Sequence, residues 1–497
     1  MDLLLNALSV ALALDSLIAI VIGTFIGVVF GSIPGLTFTV ALALVLPVTF
    51  SLSAAPAIGL LLGTYIGGMT GGSVSAILLG IPGTPSSAAT VIDGYQLTRQ
   101  GKASLALGTA VIVSAFGGLV SLVVMICMVD VVARLALRFG PAEIFALVLF
   151  GLSTICGLSE KSLVRGLIAG VIGLMVMTIG IDTIDGVLRL TFGTVILQQG
   201  VNLLVAMIAL FAVPHIIDAF VMYYRGEGAV KQTVDVKVEL PTLRQLGANF
   251  WLMVRCSLLG TGIGAIPGTG GPIAAFLAYT HAKRSSKNPE RFGKGAIAGV
   301  VAPETANNAV TGGAMIPLLS LGIPGDPATA IVLSGLLIHG LVPGPMLFIQ
   351  QPGAIYEIYI AIIVAYLSVV LIQLLGIRLF VQLLRVPAHL LAVAIIIMCG
   401  FGAFAIRNSV FDVYTMAVLG VAAYGLMRAR IPLTPIILGL VLGPTLEREF
   451  RTALILSEGN FDIFYTSIPA VIFIGLALII FLMPAIRSLM VRKNPQS

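Results

Sequence analysis

Charged residues are scarce along this chain of 497 residues. Lys, Arg, Asp and Glu together make up 10% of it, whereas 58% of the residues are apolar, and the mean hydropathy is +1.11. A soluble protein carries about 25% charged residues, and so few charges cannot cover an ordinary water-facing surface. The composition therefore excludes a soluble protein and predicts that most of the surface faces lipid.

Cysteine is also rare, and the familiar enzyme signatures are missing. The four cysteines stand far apart within or beside apolar segments, so they form neither a zinc spacing nor a disulfide framework, and we expect them to pack. The sequence contains no H-E-x-x-H, no P-loop lysine and no G-x-S-x-G elbow between a strand and a helix. We therefore predict no enzyme, no ATP-driven motor and no cofactor, apart from bound Na⁺.

The net charge of +6 does not indicate a nucleic-acid partner. The Lys and Arg residues lie in short loops between apolar runs rather than in a stripe. This is the distribution expected of a membrane protein whose cytoplasmic loops carry the positive charge. That pattern places the basic loop at 283–294 in the cytoplasm and Arg189, Arg407 and Arg451 on the outer side.

One polar segment, residues 225–247, interrupts the hydrophobic pattern clearly. It is charged and holds Pro241, so we predict a cytoplasmic connector between two membrane repeats, residues 1–224 and 248–497.

The two halves resemble each other in sequence. GSIPG at 31–35 recurs as GAIPG at 264–268, and LGIPGTP at 79–85 recurs as LGIPGDP at 321–327. A TGG triplet precedes the second motif in each half, at 70–72 and at 311–313. These correspondences in one order indicate an internal duplication.

Glycine and proline inside apolar segments break helices, and unpaired backbone at membrane depth persists only where protein or a water-filled cavity covers it. Each half is therefore predicted to hold a re-entrant hairpin, with its tip near 31–35 or 264–268. Each also holds a discontinuous helix, broken near 80–85 or 322–327. The charge bias of the loops reverses between the halves, which favours opposite orientations. The predicted fold is an all-α polytopic membrane protein of about a dozen transmembrane or re-entrant helices in two inverted-topology repeats.

Helix N-termini at the tips and breaks offer unpaired N–H groups and a partial positive charge, which suit a carboxylate. The residues predicted to bind substrate are Ser32, Gly35, Thr37, Thr84, Ser86, Gly268, Thr269, Gly270, Asn307, Asn308 and Thr329. Those predicted to bind a coupling ion, through carbonyl, hydroxyl, amide or carboxyl oxygens, are Gly31, Gly72, Asn307, Thr311, Asp326 and Glu304. The alternative is that the small residues only allow close helix packing.

Two acidic residues, Glu304 and Asp326, are expected inside the membrane. Carboxylates in lipid are costly and usually functional, so either could bind a cation or carry a proton. Glu304 could instead cap a helix that begins after Pro303, or lie in water near the basic loop.

The motifs GSIPG, GGMTGGSVSAILLGIPGTPSSAATVIDGYQLTRQGKA, GAIPGTGGPIAAFLAYTHAKR and APETANNAVTGGAMIPLLSLGIPGDPATAIVLSGLLIHGLVPGP resemble the large permease subunit of the tripartite tricarboxylate transporters. The resemblance spans nearly the whole chain. It implies a secondary transporter of the bacterial inner membrane that takes up di- or tricarboxylates and related organic anions with Na⁺ or H⁺. It also implies two partners, a small four-helix membrane subunit and a periplasmic solute-binding protein.

The working hypothesis is ion-coupled uptake by a unit of two hairpins and two broken helices that moves in elevator fashion. The alternatives are a gated anion channel, a stand-alone secondary transporter and a membrane scaffold whose glycines only pack helices. A homodimer is also expected, because large moving-unit transporters often pair through their static part.

Overall fold

The computed structural model describes residues 2–34, 36–158, 163–182, 184–225, 239–383 and 388–493. Its described part is almost entirely helical, with one two-stranded antiparallel hairpin. Seven of the described helices are long and apolar enough to cross a membrane, and five shorter apolar helices accompany them. The predicted all-α multi-pass membrane protein is confirmed at this level.

The described part of the first half contains ten α-helices and the two strands of the β-hairpin. They are α1 (Asp2–Ala11), α2 (Leu14–Ser32), α3 (Phe38–Val48), α4 (Ala54–Leu79), α5 (Ala88–Arg99), α6 (Ala103–Ala136), α7 (Pro141–Leu158), α8 (Leu163–Met177), β1 (Gly180–Ile181), β2 (Leu188–Arg189), α9 (Leu203–Phe211) and α10 (Val213–Tyr224).

The described part of the second half continues with further α-helices. They are α11 (Leu243–Gly264), α12 (Gly270–Ser285), α13 (Ala298–Leu321), α14 (Pro327–Ile338), α15 (Pro345–Gln350), α16 (Pro352–Leu383), α17 (Ala388–Arg407), α18 (Val410–Arg428), α19 (Leu433–Leu456), α20 (Ile463–Thr466) and α21 (Ile468–Lys493).

The two halves pack into each other. Helix α2 lies along α4, and α11 lies along α13, while the long helix of each half crosses to the other, α6 against α13 and α16 against α4. At 1.5 Å per residue, α6 is about 51 Å long, more than the hydrocarbon core of a bilayer requires. Helices α7 and α8 pack on α19, and α9 and α10 pack on α17 and α18. Helices α4 and α13 therefore form the buried centre.

Helix α11 begins at Leu243, within the range predicted for the connector, and residues 226–238 of that range lie outside the described part. The Thr242 hydroxyl accepts from the Gln245 N–H, and the Gln245 side chain accepts from the Thr242 N–H. This capping box satisfies N–H groups that the first turn leaves free, and it starts the helix before the apolar run.

The suggestion that a helix begins after Pro303 is wrong. Helix α13 begins at Ala298 and runs through Pro303, and Glu304 is fully buried. It therefore neither caps a helix nor lies in water.

An ionic cluster ties the β-hairpin to the end of α19. Arg189 pairs with Asp182 at 2.6 Å and with Glu447 at 2.8 Å, and Arg451 pairs with Asp182 at 2.6 Å. Arg451 also pairs with Asp185. These contacts bring together arginines that the charge pattern assigns to the same side of the membrane.

Candidate functional site at the helix breaks

The first break separates α4 from α5. Helix α4 ends at Gly80, which has φ of 70° and the left-handed conformation that glycine adopts without strain. A short 3₁₀ turn then begins after Thr84. There the Thr84 N–H donates to the Ser87 hydroxyl at 3.3 Å, and that hydroxyl donates to the Thr84 carbonyl at 2.9 Å. The Thr84 and Ser86 hydroxyls are 3.2 Å apart and are buried.

The second break has the same local structure between α13 and α14. Helix α13 ends at Gly322, also with φ of 70°, and Asp326 caps α14. The Thr329 N–H donates to Asp326 Oδ1 at 2.7 Å, and the Asp326 N–H donates to the Thr329 hydroxyl at 2.9 Å. Each break therefore ends in a capped N-terminus with a partial positive charge.

Asp326 also joins the two halves. The Tyr65 hydroxyl, from α4, donates to Asp326 Oδ2 at 2.8 Å, and the carboxylate is only 5% exposed. Both carboxyl oxygens thus have hydrogen-bond donors. Tyr65 was missed in the sequence analysis.

The end of α2 and the segment before α12 each contact one of the two helix breaks or the helix before it. The Ser32 hydroxyl, at the end of α2, lies 2.6 Å from the Val28 carbonyl and 3.1 Å from the Gly71 carbonyl of α4. Before α12, the Gly268 N–H donates to the Gly325 carbonyl at 2.7 Å. The predicted residues Gly31, Ser32 and Gly268 are therefore held against the breaks.

Asn307 lies where several of these elements meet. Its side chain is fully buried, and its Nδ2 donates to the Met69 carbonyl of α4 at 3.1 Å. Its Oδ1 accepts no hydrogen bond from the described residues. A Cβ added to Gly271, at the start of α12, would lie 2.5 Å from this oxygen and 2.8 Å from Ser86 Cβ. One unpartnered buried oxygen thus faces the starts of two helices from different halves.

Next to it, a hydroxyl network connects α4, α13 and α16. The Thr70 hydroxyl donates to Asn308 Oδ1 at 2.8 Å. The Thr311 and Tyr366 hydroxyls are 2.6 Å apart, and Tyr366 also donates to the Asn308 carbonyl at 3.1 Å. Tyr366 was likewise missed, because one tyrosine in an apolar helix carries no sequence signal of its partner.

Glu304 occupies a separate position, one turn before Asn308 on α13. The Thr90 hydroxyl of α5 donates to Oε1 at 2.5 Å, and the Ser114 hydroxyl of α6 donates to Oε2 at 3.3 Å. Among the described residues, no Lys or Arg forms an ion pair with Glu304 or Asp326.

The structure brings most of the predicted residues together but not all. A Cβ added to Gly72 would lie 2.3 Å from the Thr84 hydroxyl oxygen, so Gly72 belongs to the group around the first break. The Thr37 hydroxyl instead pairs with Thr39 at 2.6 Å, and the Thr269 hydroxyl donates to the Ile266 carbonyl at 2.9 Å. Gly35 lies outside the described residues. Gly270, with φ of 64°, begins α12.

The fold and this site define a polytopic helical membrane protein whose helix breaks meet at a buried polar centre. The model of the tripartite tricarboxylate transporter TctA family matches residues 17–438. The chain therefore belongs to this family of transporters, and membership implies a tripartite system with other subunits.

Two relatives from Agrobacterium vitis are similar to the chain. An uncharacterized 52.8 kDa protein in the TAR-I ttuC' 3' region is 36% identical over 453 residues, which cover 90% of each protein. An uncharacterized protein in the TAR-II ttuC' 3' region is 40% identical over 232 residues, which cover 46% of this chain and 96% of that protein. No solved structure matches the chain.

Proposed function

We propose that this protein is the large permease subunit of a binding-protein-dependent tripartite transporter. It takes up a di- or tricarboxylate, or a related organic anion, and is driven by a Na⁺ or H⁺ gradient. The observation that carries the proposal is the meeting of Asn307 with the starts of α5 and α12. The family match supports the same reading.

The proposed architecture is a pair of inverted repeats, each with a re-entrant hairpin and a discontinuous helix. Equivalent backbone approaches support it. A Cβ added to Gly31 would lie 2.4 Å from the Gly68 carbonyl oxygen, and one added to Gly264 would lie 2.5 Å from that of Val310. Both carbonyls stand at the same sequence distance before the left-handed glycine that ends each broken helix. Such close approach needs glycine at these places.

Substrate recognition follows from the charge of the helix ends. Anionic carboxylates would bind the free N–H groups at the starts of α5 and α12, since these ends carry partial positive charge. Thr84 and Ser86 would orient the substrate through hydroxyls. The unpartnered Oδ1 of Asn307, with the carbonyls of Gly31 and Gly72, offers oxygen atoms to a cation.

Contacts that join the two halves also support the proposed sidedness. The Gln100 side chain, just after α5, donates to the Lys294 carbonyl in the basic loop at 2.8 Å. The Arg407 side chain, after α17, donates to Gln199 at 3.3 Å. The basic loop would then be cytoplasmic and the ionic cluster of the β-hairpin periplasmic in the bacterial inner membrane.

The proposed moving unit contains α2–α5 and α11–α14 and carries the site past the remaining helices in elevator fashion. A homodimer would form through the static helices. The partners are a small four-helix membrane subunit and a periplasmic solute-binding protein that delivers the carboxylate.

Uptake of labelled di- and tricarboxylates into proteoliposomes tests the function. The chain is reconstituted with and without its two partners, under an imposed Na⁺ or proton gradient. Asn307→Ala should abolish gradient-driven uptake, because it removes both the Met69 contact and the free oxygen. Asn249→Ala is the matched control, since the Asn249 side chain donates only to the Gln245 carbonyl within α11.

Uptake that saturates, follows a gradient, needs the binding protein and is lost only in Asn307→Ala would support the proposal. Flux that is indifferent to both gradients would instead favour a gated anion channel. Gradient-driven uptake by the chain alone would favour a stand-alone secondary transporter.

A further inference from the structure

Glu304 and Asp326 have different hydrogen-bond surroundings. Asp326 Oδ1 accepts from the Thr329 N–H at the start of α14, so Asp326 serves as the cap of that helix. Glu304 is fully buried in the middle of the packed helices and contacts only the hydroxyls of Thr90 and Ser114.

Hydroxyl partners are compatible with both protonation states of a carboxyl group. A hydroxyl donates to a carboxylate, and after rotation it accepts from a carboxylic acid. Because the two partners of Glu304 can reverse their direction, the site can take up or release one proton without leaving a buried polar atom unpaired. An ionised carboxylate without a cationic partner is costly at this depth, which favours the acid whenever a proton is available.

A row of polar groups leads from Glu304 to the basic loop. Thr90 lies one turn before Asp93 on α5, and Asp93 Oδ1 accepts from the N–H groups of Gly293, Gly295 and Ala296 at 2.9, 2.7 and 2.8 Å. The Tyr279 hydroxyl donates to Asp93 Oδ2 at 2.9 Å.

Helix α13 lies directly against this row. A Cβ added to Gly299 would be 2.1 Å from Asp93 Oδ2, and Gly299 stands between the loop and Glu304 on the same helix. Asp93 and Thr90 therefore face α13 on the way from the loop to Glu304.

The neighbouring elements bring no competing charge to Glu304. The titratable groups on the helices packed against α13 are Tyr65 on α4, Asp93, Tyr95 and Arg99 on α5, Cys127, Asp130 and Arg134 on α6, Arg244, Arg255 and Cys256 on α11, and Tyr279, His281, Lys283 and Arg284 on α12. None of them forms a hydrogen bond or ion pair with the Glu304 carboxyl in the described part of the chain.

We propose that the coupling ion is a proton carried by Glu304, and that it leaves toward the loop at 286–297 along the face of α5 that carries Thr90 and Asp93. The Glu304 carboxylate binds one proton on the outward-facing side. The resulting carboxylic acid becomes a carboxylate again when the proton leaves toward that loop. Asp326 caps α14 and holds that helix in place. This inference rests on the proposed function.

Proteoliposomes that contain the chain, its partners and a trapped pH-sensitive dye test it. Wild type should acidify the lumen when carboxylate enters, and should accumulate carboxylate under a proton gradient without Na⁺. Glu304→Gln mimics the protonated state, so accumulation should fall to simple equilibration and substrate-linked acidification should vanish. Carboxylate exchange across the membrane should lose its dependence on pH.

The matched control is Glu357→Gln, which changes the same type of side chain in the membrane helix α16. Glu357 makes no hydrogen bond or ion pair within the described residues, and its variant should keep proton-driven accumulation. Thr90→Val is the second variant, in case Glu304→Gln fails to fold. It should slow substrate-linked acidification more than exchange.

Accumulation by Glu304→Gln equal to that of wild type would overturn the inference. Wild-type uptake that follows only a Na⁺ gradient and moves no protons would also overturn it, while leaving the proposed function intact. Absence of both exchange and uptake in wild type, with both partners present, would instead refute the proposed function.

Discussion

Removing the hydroxyl of Tyr65 tests how firmly the two halves hold each other at the second break. In Tyr65→Phe, Asp326 Oδ2 loses its donor from α4, while Thr329 continues to serve Oδ1. A hydrogen bond to a charged group contributes about 1.5 to 3 kcal/mol. Since the ring remains and leaves no cavity, the expected destabilisation is about 2 kcal/mol.

The assay is unfolding of the purified protein in mixed micelles, followed by helical circular dichroism. Tyr359→Phe is the matched control, because Tyr359 is also largely buried and makes no hydrogen bond within the described residues. Its loss of a hydroxyl should change stability by less than about 0.5 kcal/mol.

A double-mutant cycle with Asp326→Asn isolates the pair. If the two side chains act through their mutual hydrogen bond, the double variant should be less destabilised than the sum of the single variants by about 1 to 2 kcal/mol. Strictly additive effects, or equal effects of Tyr65→Phe and Tyr359→Phe, would refute the inferred contact.

Two further predictions concern the ionic cluster and the backbone. The N–H of Ile184, together with Arg451 and Arg189, lowers the pKa of Asp182 from 3.8 to about 2, against a smaller opposing effect of burial. Because the folded-state pKa is depressed, this stabilisation is complete above about pH 4 and is lost as the pH falls toward 2. The stability difference between wild type and Asp182→Asn should therefore shrink over that range. A constant difference would contradict the pairing. Gly322→Ala places a side chain at φ of 70° and 3.0 Å from a carbonyl oxygen, so it should cost at least about 1 to 2 kcal/mol. Gly353→Ala, which meets nothing within 4 Å, should leave the unfolding midpoint nearly unchanged.

Much of the fold could be predicted because the bilayer constrains sequence so strongly. Apolar runs had to be helices, since no water is available to pair their backbone groups. The glycines at positions 80 and 322 could be read as helix ends because few other residues adopt a left-handed conformation there. The start of α11 was placed too late, because a polar capping box resembles a loop when only hydropathy is read.

The candidate site was predicted only in part. Asn307, Asp326 and Thr84 stood out as polar residues inside apolar segments. Tyr65, Tyr366, Thr90 and Ser114 did not, because a hydroxyl on an otherwise apolar helix acquires meaning only from the group that it faces. Their partners come from helices far away in the chain, such as α4 with α14 and α5 with α13.

The sequence by itself determined that this protein lies in a membrane, that its described part is almost entirely helical and that it belongs to a transporter family. Those properties follow from composition and from local motifs, which act over one or a few turns of helix. Only the tertiary structure decided that Asp326 caps a helix while Glu304 contacts reversible hydroxyl partners. The two carboxyl groups look alike in sequence, and the physical difference between them lies in the donors that packing brings within hydrogen-bond distance.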